Sequence, residues 1–192
     1  MAPAPYELRF DTGRSCLDLV ATNHPVERLD SVRRLRAWLT GAGLLPTGAP
    51  LRGADPDWLT AFRELRAHVA ELVLGEIEHR PADTRSGARQ RAGRRRAPGP
   101  PPPVRAADGT LDRALRDDPA CARCSPAVAR DAVDLLTRPR GPRPAAPVRG
   151  DNCPLVYLDT SRGRRRRWCS SEVCGNRERV ARHRRRVALA RA

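Results

Sequence analysis

The sequence predicts a mainly α amino-terminal domain, interrupted by an Arg/Pro-rich disordered linker, and a small carboxy-terminal β-hairpin–helix (ββα) domain. Three observations carry that expectation. Apolar residues recur at helical spacing in three segments between residues 30 and 137. Residues 81–109 offer Arg, Gly and Pro and almost nothing to bury. Residues 151–192 combine a strand–turn–strand pattern with a helical segment and three cysteines. A chain of 192 residues holds two domains when one of them is short.

The first segment, FDTGRSCLDLVATNH, places Cys16, Leu17, Leu19, Val20 and Ala21 in a run that fits a short buried helix or a strand. Asp30 or Ser31 then caps a helix whose Val32, Leu35, Trp38 and Leu39 share one face, and Gly41 or Gly43 ends it. Asp55 followed by Pro56 starts the next helix, because Asp accepts the free amides and Pro fits the first turn. Leu59, Phe62, Leu65, Val69, Leu72 and Val73 carry one apolar face to about His79. Residues 1–80 are thus the first part of the helical domain. After the 81–109 linker, Leu111 to Leu115 read as a short helical turn. Ser125 and Pro126 open another helix, with Val128, Ala132, Val133, Leu135 and Leu136 facing inward. Residues 110–137 return to the helical domain, and the Pro-broken stretch 138–150 is a second linker.

Charge is segregated along this chain. All 37 basic residues are Arg, a bias that a GC-rich genome would impose on any protein, so the net charge of +15 is weak evidence by itself. Its distribution is stronger. Residues 162–192 carry 12 Arg against Glu172 and Glu178, residues 81–105 carry 7 against Asp83, and the remainder is close to neutral. Drift would spread Arg evenly, whereas two segments hold the whole excess, as an electrostatic footprint for a polyanion would. No run approaches 18 apolar residues, so no membrane span is expected, and MAPAPYELRFDTG lacks the apolar core of a secretory signal. A cytoplasmic protein follows, in which six cysteines point to metal ligands or thiols before disulfides.

The carboxy-terminal domain, residues 151–192, carries the chemistry. Leu155 to Leu158 form a strand candidate, Asp159 to Gly163 a turn, Arg164 to Trp168 a returning strand, and a helix follows from about Asn176. Cys153 enters the first strand, while Cys169 and Cys174 lie where the second passes into the helix. Thiolates there would staple hairpin to helix through a zinc ion. About 40 residues with Tyr157, Trp168 and a few aliphatics hold too little core to fold alone, and binding of roughly 10–16 kcal/mol for a complete structural site would close the gap.

The run RRRWCSSEVCGNRERVARHRRR, with LVYLDTSR before it, resembles the CGNR zinc-finger proteins of bacteria, and Cys174, Gly175, Asn176 and Arg177 are the signature itself. CLDLVATNH, ERLDS and RAWLTGAGLL resemble the ABATE domain that usually precedes this finger. The resemblance covers residues from about 8 to 80 and 125 to 187, and it implies a DNA-binding transcription regulator with a zinc site. The family's finger has two pairs of cysteines, each separated by four residues. Cys169 and Cys174 match the second pair and Cys153 matches one member of the first, but its partner's position is Val148. Three substitutes for the fourth ligand stay open: His183 on the helix, Cys121 or Cys124 from upstream, or water. A finger that has lost its metal is the further alternative.

The reading that follows is a DNA-binding regulator and not an enzyme, since no nucleophile–base pair, phosphate loop or paired carboxylates stand out. Arg164, Arg165, Arg166, Arg167, Arg177, Arg182, Arg184, Arg185 and Arg186 would meet phosphates, some of them reaching guanine edges. Asn176 is a helix cap or a base reader. The helical domain would sense a signal, bind a partner or form a homodimer. Two alternatives remain: an RNA or general polyanion binder, and a redox- or metal-responsive thiol switch built on the incomplete site.

Overall fold

The segment that suits helix and strand alike is a helix. In the computed structural model, which describes residues 7–49, 51, 53–78, 103–105, 111–113, 121–137, 144–145, 155–159, 163, 166 and 174–189, α1 spans Ser15–Ala21. Its N-cap residue, Arg14, supplies no side-chain cap. One free amide is met from far along the chain instead: Asp131 Oδ2 accepts the Cys16 N–H at 2.9 Å, and the Ser15 hydroxyl donates to the same oxygen at 3.1 Å. Arg14 closes the arrangement with an ion pair to Asp131 Oδ1 at 2.8 Å.

The next two helices begin as their local sequences dictate. Helix α2, Val32–Gly41, is capped by Ser31, whose hydroxyl accepts the Arg34 N–H at 3.3 Å; Asp30 accepts from that same hydroxyl. It stops at a Schellman motif. Gly43 adopts φ 68°, its N–H donates to Thr40, and the Leu44 N–H reaches back to the Leu39 carbonyl at 2.9 Å. Helix α3, Pro56–Ile77, is capped by Asp55, which accepts the Trp58 N–H at 3.0 Å, and Pro56 stands in its first turn.

Helix α3 is the central element. It packs against α1, α2 and the fourth helix, α4, which spans Cys121–Thr137. Trp38 and Phe62 meet edge to face at a centroid distance of 5.9 Å, and Leu17, Leu19, Leu35, Leu39, Val69 and Val73 complete a buried centre. Polar groups tie down the loop between α1 and α2. Arg66 makes a forked pair with Glu27 at 2.6 and 2.7 Å and also donates to Thr22. Burial opposes ionisation of Glu27, but the hydrogen bonds from Arg66 and the Leu29 N–H outweigh it and hold the carboxyl below its ordinary range.

Four expectations need correction. Helix α4 starts at Cys121, four residues before Ser125, and encloses Pro126. Its inward residues are Cys124, Val128, Ala132 and Leu135; Val133 is 54% exposed, because the face follows helical spacing from Cys124 and passes it by. Leu111–Arg113 is not a helical turn but strand β2, paired antiparallel with β1, Pro103–Arg105, so the end of the 81–109 segment is a paired strand. Lastly, the strand at Tyr157–Leu158, β4, pairs antiparallel with Pro144–Ala145, β3, within the stretch read as a linker. Of the return strand expected at Arg164 to Trp168, only Arg166 is described, and most of the 81–109 linker likewise lies outside the described residues.

Strand β4 ties the carboxy-terminal region to the amino-terminal segment. Residues Leu155 to Asp159 are all buried, and successive side chains of a strand face opposite ways. Val156 and Leu158 belong to the apolar cluster of α1–α4, whereas Leu155 and Tyr157 do not. The Leu158 N–H donates to the Thr12 carbonyl at 2.8 Å. The last helix, α5, spans Cys174–Leu189. No helix among the described residues is long and apolar enough to cross a membrane.

Candidate metal and nucleic-acid interface

Cys174 is the first residue of α5 and is buried, with the also buried Gly175 after it. It stands at a helix end, where unsatisfied amides favour a negative ligand atom, which suits a thiolate held by a metal. Cys153 and Cys169 lie outside the described residues, as does Val148. Among the described residues there is no group of three His, Cys, Asp or Glu side chains that could hold an ion.

Two proposed fourth ligands can be judged from their placement. Helix α5 runs unbroken from Cys174 through His183, and at about 1.5 Å of rise per residue the nine-residue step separates them by about 13.5 Å along the axis. Both side chains would have to reach toward each other along the helix to share an ion through bonds of about 2.0–2.3 Å, and His183 is exposed, so its placement does not favour it as a partner of Cys174. Cys124 is buried in the apolar cluster shared by α1, α3 and α4. Its partner in the two-residue spacing, Cys121, starts α4, and its side chain lies outside the described residues.

The arginines divide into two kinds. Arg182, Arg184, Arg185 and Arg186 are exposed, and so is every residue from Arg179 to Arg186, so more than two turns of α5 stand in solvent all round. Glu178 is the one acid of the helix and draws on Arg185 at 3.1 Å and Arg182 at 3.6 Å. Exposed pairs of this sort are worth little and break readily in favour of a phosphate. Arg179 belongs to the same surface and was passed over in the sequence, although it sits in the same Arg-rich run. The Arg177 side chain, with Arg164, Arg165 and Arg167, lies outside the described residues.

Arg166 is of the other kind. Its guanidinium lies over the Tyr157 ring, 4.7 Å from the centroid, and Nη2 donates to the Asp11 carbonyl at 3.3 Å. Its backbone is also engaged: the N–H donates to Asp159 Oδ2 at 2.9 Å and the carbonyl accepts the Tyr157 hydroxyl at 2.7 Å. The Arg166 guanidinium is therefore engaged within the protein, at Tyr157 and Asp11. Asn176 is exposed in the third position of α5, inside the first turn, and so is not its N-cap.

Residues 13–139, two thirds of the chain, match the model of the ABATE family, described as "putative stress-induced transcription regulator". The chain belongs to the ABATE family. The limits of the match enclose the Arg/Pro segment and the paired strands β1 and β2. Residues 149–187 match the CGNR zinc finger, which takes in β4, Arg166 and nearly all of α5. No curated protein matches the chain. An ABATE region followed by a CGNR finger is a regulator-type architecture, not that of an enzyme family, and the finger family implies zinc. The residues fit that metal in kind. Cys153, Cys169 and Cys174 are soft donors within one 39-residue match, and Cys174 is buried where a structural ligand belongs.

Proposed function

We propose that this ABATE protein regulates transcription by binding DNA through α5, with Cys153, Cys169 and Cys174 holding zinc and the helical body receiving a signal or a partner. One observation carries the reading: from Arg179 to Arg186 the helix is exposed on every side and rich in guanidinium. This stretch is not covered by other described residues, so its guanidiniums are open to a polyanion. A helix of 16 residues is about 24 Å long, and its width suits the major groove of about 12 Å. Bound zinc would supply a rigid crosslink between the finger's strand region and the first turn of α5. The protein's own contribution is to keep Cys174 buried at the root of the helix and to leave the distal turns bare.

Arg179, Arg182, Arg184, Arg185 and Arg186 are the proposed phosphate or guanine contacts, joined by Arg164, Arg165, Arg167 and Arg177; Asn176, exposed in the first turn, is the candidate base reader. Equilibrium binding to duplex DNA across a salt series tests this. Six or more phosphate contacts give a log–log slope of about −5 or steeper, and replacing Arg182 and Arg185 by Gln should reduce its magnitude by about 2. A shallow slope, unchanged in the variants, would remove DNA binding by α5. Preference for structured RNA in direct competition would shift the polyanion from DNA to RNA.

A further inference from the structure

More than the polypeptide link joins the finger to the ABATE body. The turn Asp11–Gly13 offers two adjacent carbonyls, and the finger uses both: Leu158 N–H on Thr12 at 2.8 Å, and Arg166 Nη2 on Asp11 at 3.3 Å. Gly13 lets them come this close. It adopts φ 93°, and a Cβ there would stand 3.2 Å from the Leu158 Cβ, so a side chain would strain the turn and press on β4. The turn is fixed from inside, because Asp18 Oδ1 accepts both the Thr12 N–H at 3.2 Å and the Thr12 hydroxyl at 2.7 Å. On the finger side Arg166 is fixed as firmly, by the Tyr157 ring, the Tyr157 hydroxyl and the Asp159 carboxylate.

We propose that the Asp11–Gly13 turn and Arg166 form a clasp through which the ABATE body orients the finger, which makes Arg166 a positioning residue and not a phosphate contact. Val156 and Leu158 already seat β4 on the body, and the bonds to the Asp11–Gly13 turn add Arg166 to that seat. The clasp therefore fixes the direction of the finger's strand region, from which the chain continues to α5. Any ligand or partner that moves the Asp11–Gly13 turn gains control of that direction, since the body and the finger share the bonds it would alter. The effect on DNA rests on the proposed function; the clasp itself does not.

The test uses the full chain with Arg166→Ala, Gly13→Ala and the two combined. Two quantities are read: DNA affinity across a salt series, and hydrogen exchange at the Leu158 amide. Each single variant should speed exchange at Leu158 and weaken DNA binding by about 3- to 10-fold, and the double variant should be no worse than the weaker single, because the residues act as one unit. The salt slope should stay unchanged, whereas loss of a phosphate contact lowers its magnitude by about 0.9. Additive losses, a slope reduced by that amount in Arg166→Ala and an unchanged Leu158 amide would overturn the clasp. Should Gly13→Ala fail to fold, Tyr157→Phe takes its place, removing the hydroxyl that braces the Arg166 carbonyl; the same coupling is expected, and its absence sinks the proposal. Coupled exchange in a protein that binds no DNA would remove the functional reading and leave the clasp standing.

Discussion

Asp18 shows how one side chain is placed against its own preference. It lies within α1, 6% exposed, with Asp11 and Asp131 near enough to oppose its charge. Burial pushes its carboxyl up to about 6, against the two hydrogen bonds from Thr12 that favour the ionised form. A carboxyl whose folded value is raised binds its proton more tightly in the folded chain. Its contribution to stability is thus complete below about pH 4 and is lost as pH rises to about 6. A shift of about two units corresponds to roughly 3 kcal/mol at most. Asp18→Asn keeps an oxygen for Thr12 and carries no charge. It is expected to melt several degrees higher than the parent at pH 7.5 and to flatten the pH dependence of melting between pH 4 and 6. A lower melting temperature with the slope intact would assign that slope to another group. The acid could be seen in the sequence inside CLDLV, but not its partner, because no local pattern links Thr12 to a residue six positions on.

Among the elements, the helices whose caps are local were legible and those held from a distance were not. Ser31 and Asp55 cap helices that begin at the next residue, so α2 and α3 could be read directly. Helix α1 was ambiguous because its cap, Asp131, comes from α4. Strand β4 was found, but its partner β3 hid in a Pro-rich stretch where edge pairing leaves no alternating signal. Asp131→Ala is expected to lower the stability of the helical body by about 1–2 kcal/mol, the usual cost of a lost cap, with Arg14 left without its carboxylate as an added loss. Asp131→Asn, which keeps an acceptor but no charge, should recover part of this. Denaturant midpoints of the two variants measure the difference, and equal loss in both would assign the effect to the ion pair alone.

For the molecule as a whole, the segregation of Arg pointed to α5, and the cysteine spacing to a finger. Hidden from the sequence was that Val156 and Leu158 complete the ABATE core, so that body and finger share β4. Alternating burial is the usual sign of an exposed strand, and a strand covered on both sides gives only a short apolar run. A zinc ion held by the proposed cysteines would join segments and so belongs to this scale. With His183 not favoured by its placement on α5, the missing thiolate at Val148 is the natural point of repair. Val148→Cys is expected to retain one zinc per chain at chelator concentrations that strip the parent, as elemental analysis can check. Zinc in the variant and none in the parent would mean that this finger keeps its form through the contacts of β4 and not through a metal.

The bond from Asp131 to the Cys16 amide spans 115 residues, and this sets an order for folding during synthesis. At a translation rate of about 5–20 residues per second, the start of the first helix waits roughly 6–23 s for its cap to be made. In that interval Leu17 and Leu19 have neither α4 nor β4 to cover them. A nascent chain of this protein therefore offers chaperones an apolar amino-terminal segment until most of it has left the ribosome, and truncated products ending before Asp131 should be degraded quickly.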